Sequence, residues 1–135
     1  MDSFTGNCLC GSISYQSSSK PKLMMNCHCK DCRKASGGPY LANVFIDEKS
    51  FKVQGNPKSF KHTSDKGSTM TKYFCENCGS QVFGKNSARP GSVTIRGGTI
   101  NETEVIQPSI NLFVNSKIPS TPINKDLKTF SKMPN

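Results

Sequence analysis

Seven cysteines fall into three tight groups: Cys8-Leu9-Cys10, Cys27-His28-Cys29-Lys30-Asp31-Cys32 and Cys75-Glu76-Asn77-Cys78. Spacings of one or two residues aim neighbouring sulfurs at one point, so each group reads as part of a metal site rather than of a disulfide framework. An odd number of cysteines would also leave one without a partner in any full set of disulfides. The rest of the composition gives such sites a structural task. Hydrophobic residues make up 33% of the 135, tryptophan is absent and mean hydropathy is −0.51. Apolar burial is therefore thin for a single domain of this length, and metal staples are expected to help hold it.

The two-cysteine groups are half-sites. In Cys75-x-x-Cys78-Gly79 a tight turn points both sulfurs at one ion and the glycine relieves the backbone after it. Joining Cys8 and Cys10 to Cys75 and Cys78 completes a four-thiolate structural set and leaves Cys27, Cys29 and Cys32 as a local tripod. Three protein ligands with a fourth position for water or substrate is the arrangement of a catalytic zinc. Spacing also permits a zinc ribbon of Cys29, Cys32, Cys75 and Cys78, and at this level that pairing stays open.

His28 is poorly placed to be the tripod's fourth ligand, because neighbouring side chains on an extended backbone point to opposite sides. A contact with substrate, or with the ligands themselves, suits it better; an inert surface histidine is the alternative. Three thiolates leave a dication with a net negative charge, which tempers its Lewis acidity and favours a soft fourth ligand such as a substrate sulfur. Chemistry at the carbon-sulfur bond of a small thiol adduct follows. After the tripod, Arg33 is a candidate contact for an anionic group on such a substrate, and Lys34 reads as solvated. Ser36 and the Gly37-Gly38 backbone either line a pocket or cap a short turn. Asp31 reads as exposed, and Tyr73, Phe74 and Phe83 as core residues packed against the second cysteine turn.

The formal charge is +9, yet the 18 lysines and arginines are scattered singly. That pattern fits a solvated basic surface better than a nucleic-acid footprint. Contact with nucleic acid or chromatin, by a module in which all the zinc is structural, is the competing function. No run of roughly 18 apolar residues is present, and MDSFTGNCLCGS lacks the apolar segment of a signal peptide. The expectation is a cytoplasmic protein without a membrane segment, with the nucleus as a second location.

Gly, Pro, Ser and Asn punctuate the chain every eight to twelve residues or so, as in a chain of many short strands. Between them apolar residues alternate: Ile13 and Tyr15; Tyr40, Ala42, Val44 and Ile46; Phe51 and Val53; Val93 and Ile95; Ile110, Leu112 and Val114. Met70, Lys72 and Phe74 share the same period. Asn56-Pro57 and Asp65-Lys66-Gly67 bracket a strand near Lys58 to Thr63, and Arg89-Pro90-Gly91 opens a turn. A short turn of helix over Asp31 to Ser36 is the only helical signal. The fold is read as mostly β with little helix. One zinc domain spans residues 1–118, and a Pro- and Lys-rich tail spans 119–135, peripheral unless Ile123, Leu127 and Phe130 pin it.

At Cys8-Leu9-Cys10-Gly11, CHCKDCRKASG and YFCENCGSQVF the chain resembles the glutathione-dependent formaldehyde-activating family, which also includes the centromere protein V group. The resemblance runs from about Thr5 to Lys117. It implies an Mss4-like fold of small antiparallel sheets stapled by two zinc ions per chain. It assigns Cys8, Cys10, Cys75 and Cys78 to the structural ion and Cys27, Cys29 and Cys32 to the catalytic one. The implied activity is a carbon-sulfur lyase forming or cleaving S-(hydroxymethyl)glutathione, with glutathione or its adduct as the small-molecule partner. Relatives often carry a histidine in a Pro-x-x-His segment and a later Pro-Trp; here Asn111 and Pro119-Ser120 stand instead.

Overall fold

A computed structural model of the chain describes residues 2–134. The strands are β1 (Phe4–Asn7), β2 (Ser14–Ser17), β3 (Leu23–Cys27), β4 (Leu41–Asp47), β5 (Phe51–Gln54) and β6 (Lys58–Thr63). They continue with β7 (Thr69–Phe74), β8 (Gln81–Asn86), β9 (Ser92–Arg96), β10 (Ile110–Leu112) and β11 (Lys128–Thr129). The helix α1 (Lys30–Ser36) follows the second cysteine group. The chain is mostly β with little helix, as the alternation predicts.

The strands form one three-stranded sheet, β1-β2-β5, and one eight-stranded sheet ordered β11-β10-β3-β4-β9-β8-β7-β6. Most neighbours are antiparallel, but β10 runs parallel to both β3 and β11. These parallel pairings go beyond the small antiparallel sheets expected. They arise because β10 returns from β9 through a long connection containing two 3₁₀ turns and enters beside β3 in the same direction. Val114 was expected to continue the alternation of β10. The strand instead stops at Leu112, because Phe113 adopts a left-handed backbone with φ of 56° and turns the chain.

Alternation along β4 decides what each face of the large sheet carries. Val44 and Ile46 are fully buried among Ile95, Val93, Val82 and Phe83 in the main core. Burying each such side chain contributes about 1.5–3 kcal/mol, so this face carries most of the apolar stabilisation. Cys8 and Cys75 belong to the same cluster. On the other face Phe45 joins a smaller cluster built on Met25, Leu112, Cys27 and Cys32. The first and third cysteine groups thus meet in the main core through Cys8 and Cys75, and the second group lies in the smaller one.

Phe130 and Met133 pack against that smaller cluster. The Phe130 amide donates to the Asn111 carbonyl at 3.0 Å, and the Asn111 side chain donates to the Asn124 carbonyl and to Thr129 Oγ1. Asn111 is thereby a buried tie to the C-terminal segment.

Candidate metal centre

Two sets of sulfurs come together, with every ligand atom in a set within 4.8 Å of the others: Cys8, Cys10, Cys75 and Cys78 in one, Cys27, Cys29 and Cys32 in the other. The sulfurs of Cys29 and Cys32 join Cys27 rather than Cys75 and Cys78, so the ribbon pairing is not the one this fold assembles. All seven cysteines are free of disulfides.

The four-cysteine set is built from two glycine-closed turns, one of three residues' span and one of four. In one, the Gly11 amide donates to the Cys8 carbonyl; in the other, the Gly79 amide donates to the Cys75 carbonyl at 2.8 Å. Both glycines have φ near +80°, a region that costs a side-chain-bearing residue energy and glycine none. Tetrahedral zinc with bonds of about 2.3 Å places its sulfurs about 3.8 Å apart. Cys10 Sγ lies 3.7 Å from both Cys8 Sγ and Cys75 Sγ, so the geometry fits that ion. Hydroxyls favour the thiolates. Ser12, then Asn77, holds Cys10 down to about 7, and Ser80 leads the effects that bring Cys78 to about 5.

The trio is set by a strand end and a helix start. Cys27 closes β3, while Cys29 is the N-cap of α1, its sulfur accepting the Cys32 amide at 3.2 Å. Among these three thiols one thiolate is strongly preferred at Cys29, held down to about 2 by hydrogen bonds from Cys27 and then Cys32. Cys27 is pushed up, with Cys29 and then Cys32 the leading causes. A soft, all-sulfur donor set suits zinc.

The residues named beside the trio are placed unequally. His28 is 1% exposed, packs at a tilt against Tyr40 with centroids 4.9 Å apart, and has no protein partner at Nδ1. It is therefore not an inert surface residue, and it lies outside the gathered ligand atoms. Burial, then Lys117, lowers its pKa. Arg33 Nε is likewise buried without a protein partner. Ser36 donates to the Cys32 carbonyl and accepts from the Gly38 amide, so it closes the helix end.

Lys34, read as merely solvated, lines a groove of about 470 Å³ together with Asp31, His62, Lys72, Phe74 and Gln81. Tyr73 and Phe83 stack in the core at 4.5 Å. Phe74, expected with them, instead contributes to the groove.

A polar row that no motif marks lies between groove and trio. Arg96, 6% exposed, donates through Nη1 to Asn43 Oδ1 at 2.8 Å and through Nε to Gln81 Oε1 at 3.0 Å. Asn43 Nδ2 in turn faces Cys32 Sγ at 4.0 Å. Lys72, also buried, holds His62 Nε2 at 2.7 Å. Lys72 shares the period of Met70 and Phe74, whereas alternation with Val93 and Ile95 sends Arg96 to the opposite face of β9.

No helix of the described residues is long and apolar enough to cross a membrane. A comparison with curated proteins finds no match. The backbone is similar to that of a Rhodobacter sphaeroides protein of known crystal structure, with a TM-score of 0.55 over 73% of this chain and 88% of that one. Identity is 17%, so the likeness speaks to fold alone. The family model described as glutathione-dependent formaldehyde-activating enzyme matches residues 3–116, which takes in all seven cysteines, α1 and the polar row. With that match across most of its length, the chain belongs to the glutathione-dependent formaldehyde-activating enzyme family.

Proposed function

We propose that this chain is a zinc-dependent carbon-sulfur lyase that makes and breaks the adduct of a small thiol with an aldehyde, S-(hydroxymethyl)glutathione being the adduct to which its family points. The observation that carries this reading is the trio of Cys27, Cys29 and Cys32, three gathered sulfurs where a closed site holds four ligands. Cys8, Cys10, Cys75 and Cys78 are read as the structural set, so the complement is two zinc ions per chain. Bound by the trio, zinc would supply a soft Lewis-acidic position at which a thiol is held as thiolate at neutral pH.

In cleavage the carbon-sulfur bond breaks and its electron pair stays on sulfur. The adduct's hydroxyl gives up its proton as its oxygen becomes the aldehyde carbonyl, and the proton passes to sulfur or solvent. Condensation is the reverse. The protein's own residues bind and orient. Arg33 and His28 are the proposed substrate contacts, because each buries a nitrogen that no protein group satisfies and a ligand oxygen would. Burial keeps the His28 ring neutral, with one nitrogen able to accept. Lys34 and Lys72 outweigh the Asp31 carboxylate in the groove lining, which suits an anionic peptide thiol.

Metal analysis and assay together test the reading. The expected result is two zinc ions per chain, with Cys29→Ser abolishing turnover of hydroxymethyl-thiol adducts while the fold persists. Full activity in that variant rejects it.

A further inference from the structure

We infer that Arg96 is a positioning residue for the cysteine trio: a buried guanidinium that supplies the trio's counter-charge, strengthens its hold on an ion and favours an anionic fourth ligand. The inference rests on the trio being a metal site and adds to it a residue that no cysteine motif indicates.

A guanidinium taken out of water needs negative charge nearby. Among the described residues Arg96 pairs with no carboxylate. Its hydrogen-bond partners Asn43 and Gln81 are neutral; they fix its orientation and supply no counter-charge. Burial opposes its charge, and the groups that support it are Cys32, Cys27 and Cys29. Asn43 links the two, one end on the guanidinium and the other facing Cys32 Sγ.

The sheet register makes this a built arrangement. Asn43 and Arg96 are directly opposed across β4 and β9, so their side chains leave the same face. Gly84 on β8 gives the guanidinium its room, since a Cβ there would sit 2.9 Å from Arg96 Nη2. Lys72, paired with Gly84 across β7 and β8, is a second buried amine, but it bonds His62, which faces the Asp31 carboxylate at 3.9 Å, so its charge is met outside the trio. Three thiolates and a dication sum to one negative charge, which Arg96 cancels. An anionic fourth ligand adds negative charge beside the guanidinium, and a neutral ligand adds none.

Cobalt(II) bound to the full chain tests this through its thiolate absorption. Wild type is expected to take two ions, the four-cysteine site serving as an internal report on folding. Arg96→Gln should weaken binding at the trio roughly 10- to 100-fold and leave the other site unchanged. Arg96→Lys should recover most of the loss. Added thiol should perturb the trio's spectrum at lower concentration in wild type than in R96Q, whereas neutral imidazole should not distinguish them. Equal affinity in R96Q and wild type, an equally weak R96K, or an equal response to thiol overturns the inference. A wild type that takes a single cobalt fails one step earlier, by removing the trio as a metal site. If R96Q fills neither site, Gly84→Ala carries the test by pressing a methyl group on Nη2; undiminished affinity at the trio would then overturn the inference.

Discussion

Cys27 and Leu112 stand in register on the parallel strands β3 and β10, so the first thiol of the trio is braced by a strand that arrives 85 residues later. Leu112 is 2% exposed and sits in one cluster with Cys27, Cys32, Phe130 and Met133. Leu112→Ala is therefore expected to cost about 2–5 kcal/mol, read as a lower denaturant midpoint at unchanged slope. Metal bound by the trio should also pass to a chelator faster, while metal on the four-cysteine set should not.

Asn111, the neighbour of Leu112, faces the other way and ties β10 to the C-terminal segment through two donated hydrogen bonds. Asn111→Ala removes both bonds and leaves the carbonyl of exposed Asn124 to water, at a cost of about 0.5–1.5 kcal/mol. The expected result in limited proteolysis is faster cutting within residues 119–134, with the rest of the chain retained as a resistant core. Unchanged resistance would mean that Phe130 and the β11 pairing hold the segment without the carboxamide.

Half-buried strands announce themselves by period two, and this is why β4, β5, β9 and the start of β10 were legible, with β6 framed by its flanking turns. β8 was not, because Val82, Phe83 and Gly84 are buried in succession and leave no alternation to read. β1 and β3 were missed for other reasons. FTGN is four residues with little apolar content, and Cys27 at the end of β3 reads as a ligand rather than as a strand residue. The grouping of the seven sulfurs was readable because ligand spacing is local. Arg96, Asn43 and Lys72 were not, since what makes them notable is burial beside the trio across four strands, and no local pattern encodes that.

Glu102 clamps the start of the chain: its carboxylate accepts the Thr5 amide at 2.7 Å and the Thr5 hydroxyl at 2.9 Å. The backbone bond from Thr5, then the hydroxyl, lowers the Glu102 pKa. A carboxylate depressed in the folded state stabilises fully above its unfolded pKa of about 4.3, and that contribution fades as pH falls through the folded value. Glu102→Gln should therefore lower the melting temperature at pH 7, and the difference from wild type should shrink as the pH is taken below about 4. A difference that stays constant with pH would show that the amide's shape, not the charge, matters.

The two cysteine groups should differ sharply when one ligand is removed. Cys8 and Cys75 lie in the main core, and their set joins the chain's start to its middle. Structural zinc contributes about 10–16 kcal/mol of apparent folding energy in small zinc modules, as much as or more than the about 5–15 kcal/mol that holds a typical domain. Cys75→Ser is accordingly expected to abolish cooperative thermal unfolding, as a strong chelator should in wild type. Cys29→Ser removes a ligand from the smaller cluster, and serine is itself a strong N-cap that can accept the Cys32 amide in place of sulfur. Its melt should remain cooperative with a modest shift, while zinc content falls from two to one. Equal collapse of both variants would show that the trio, too, is a structural staple.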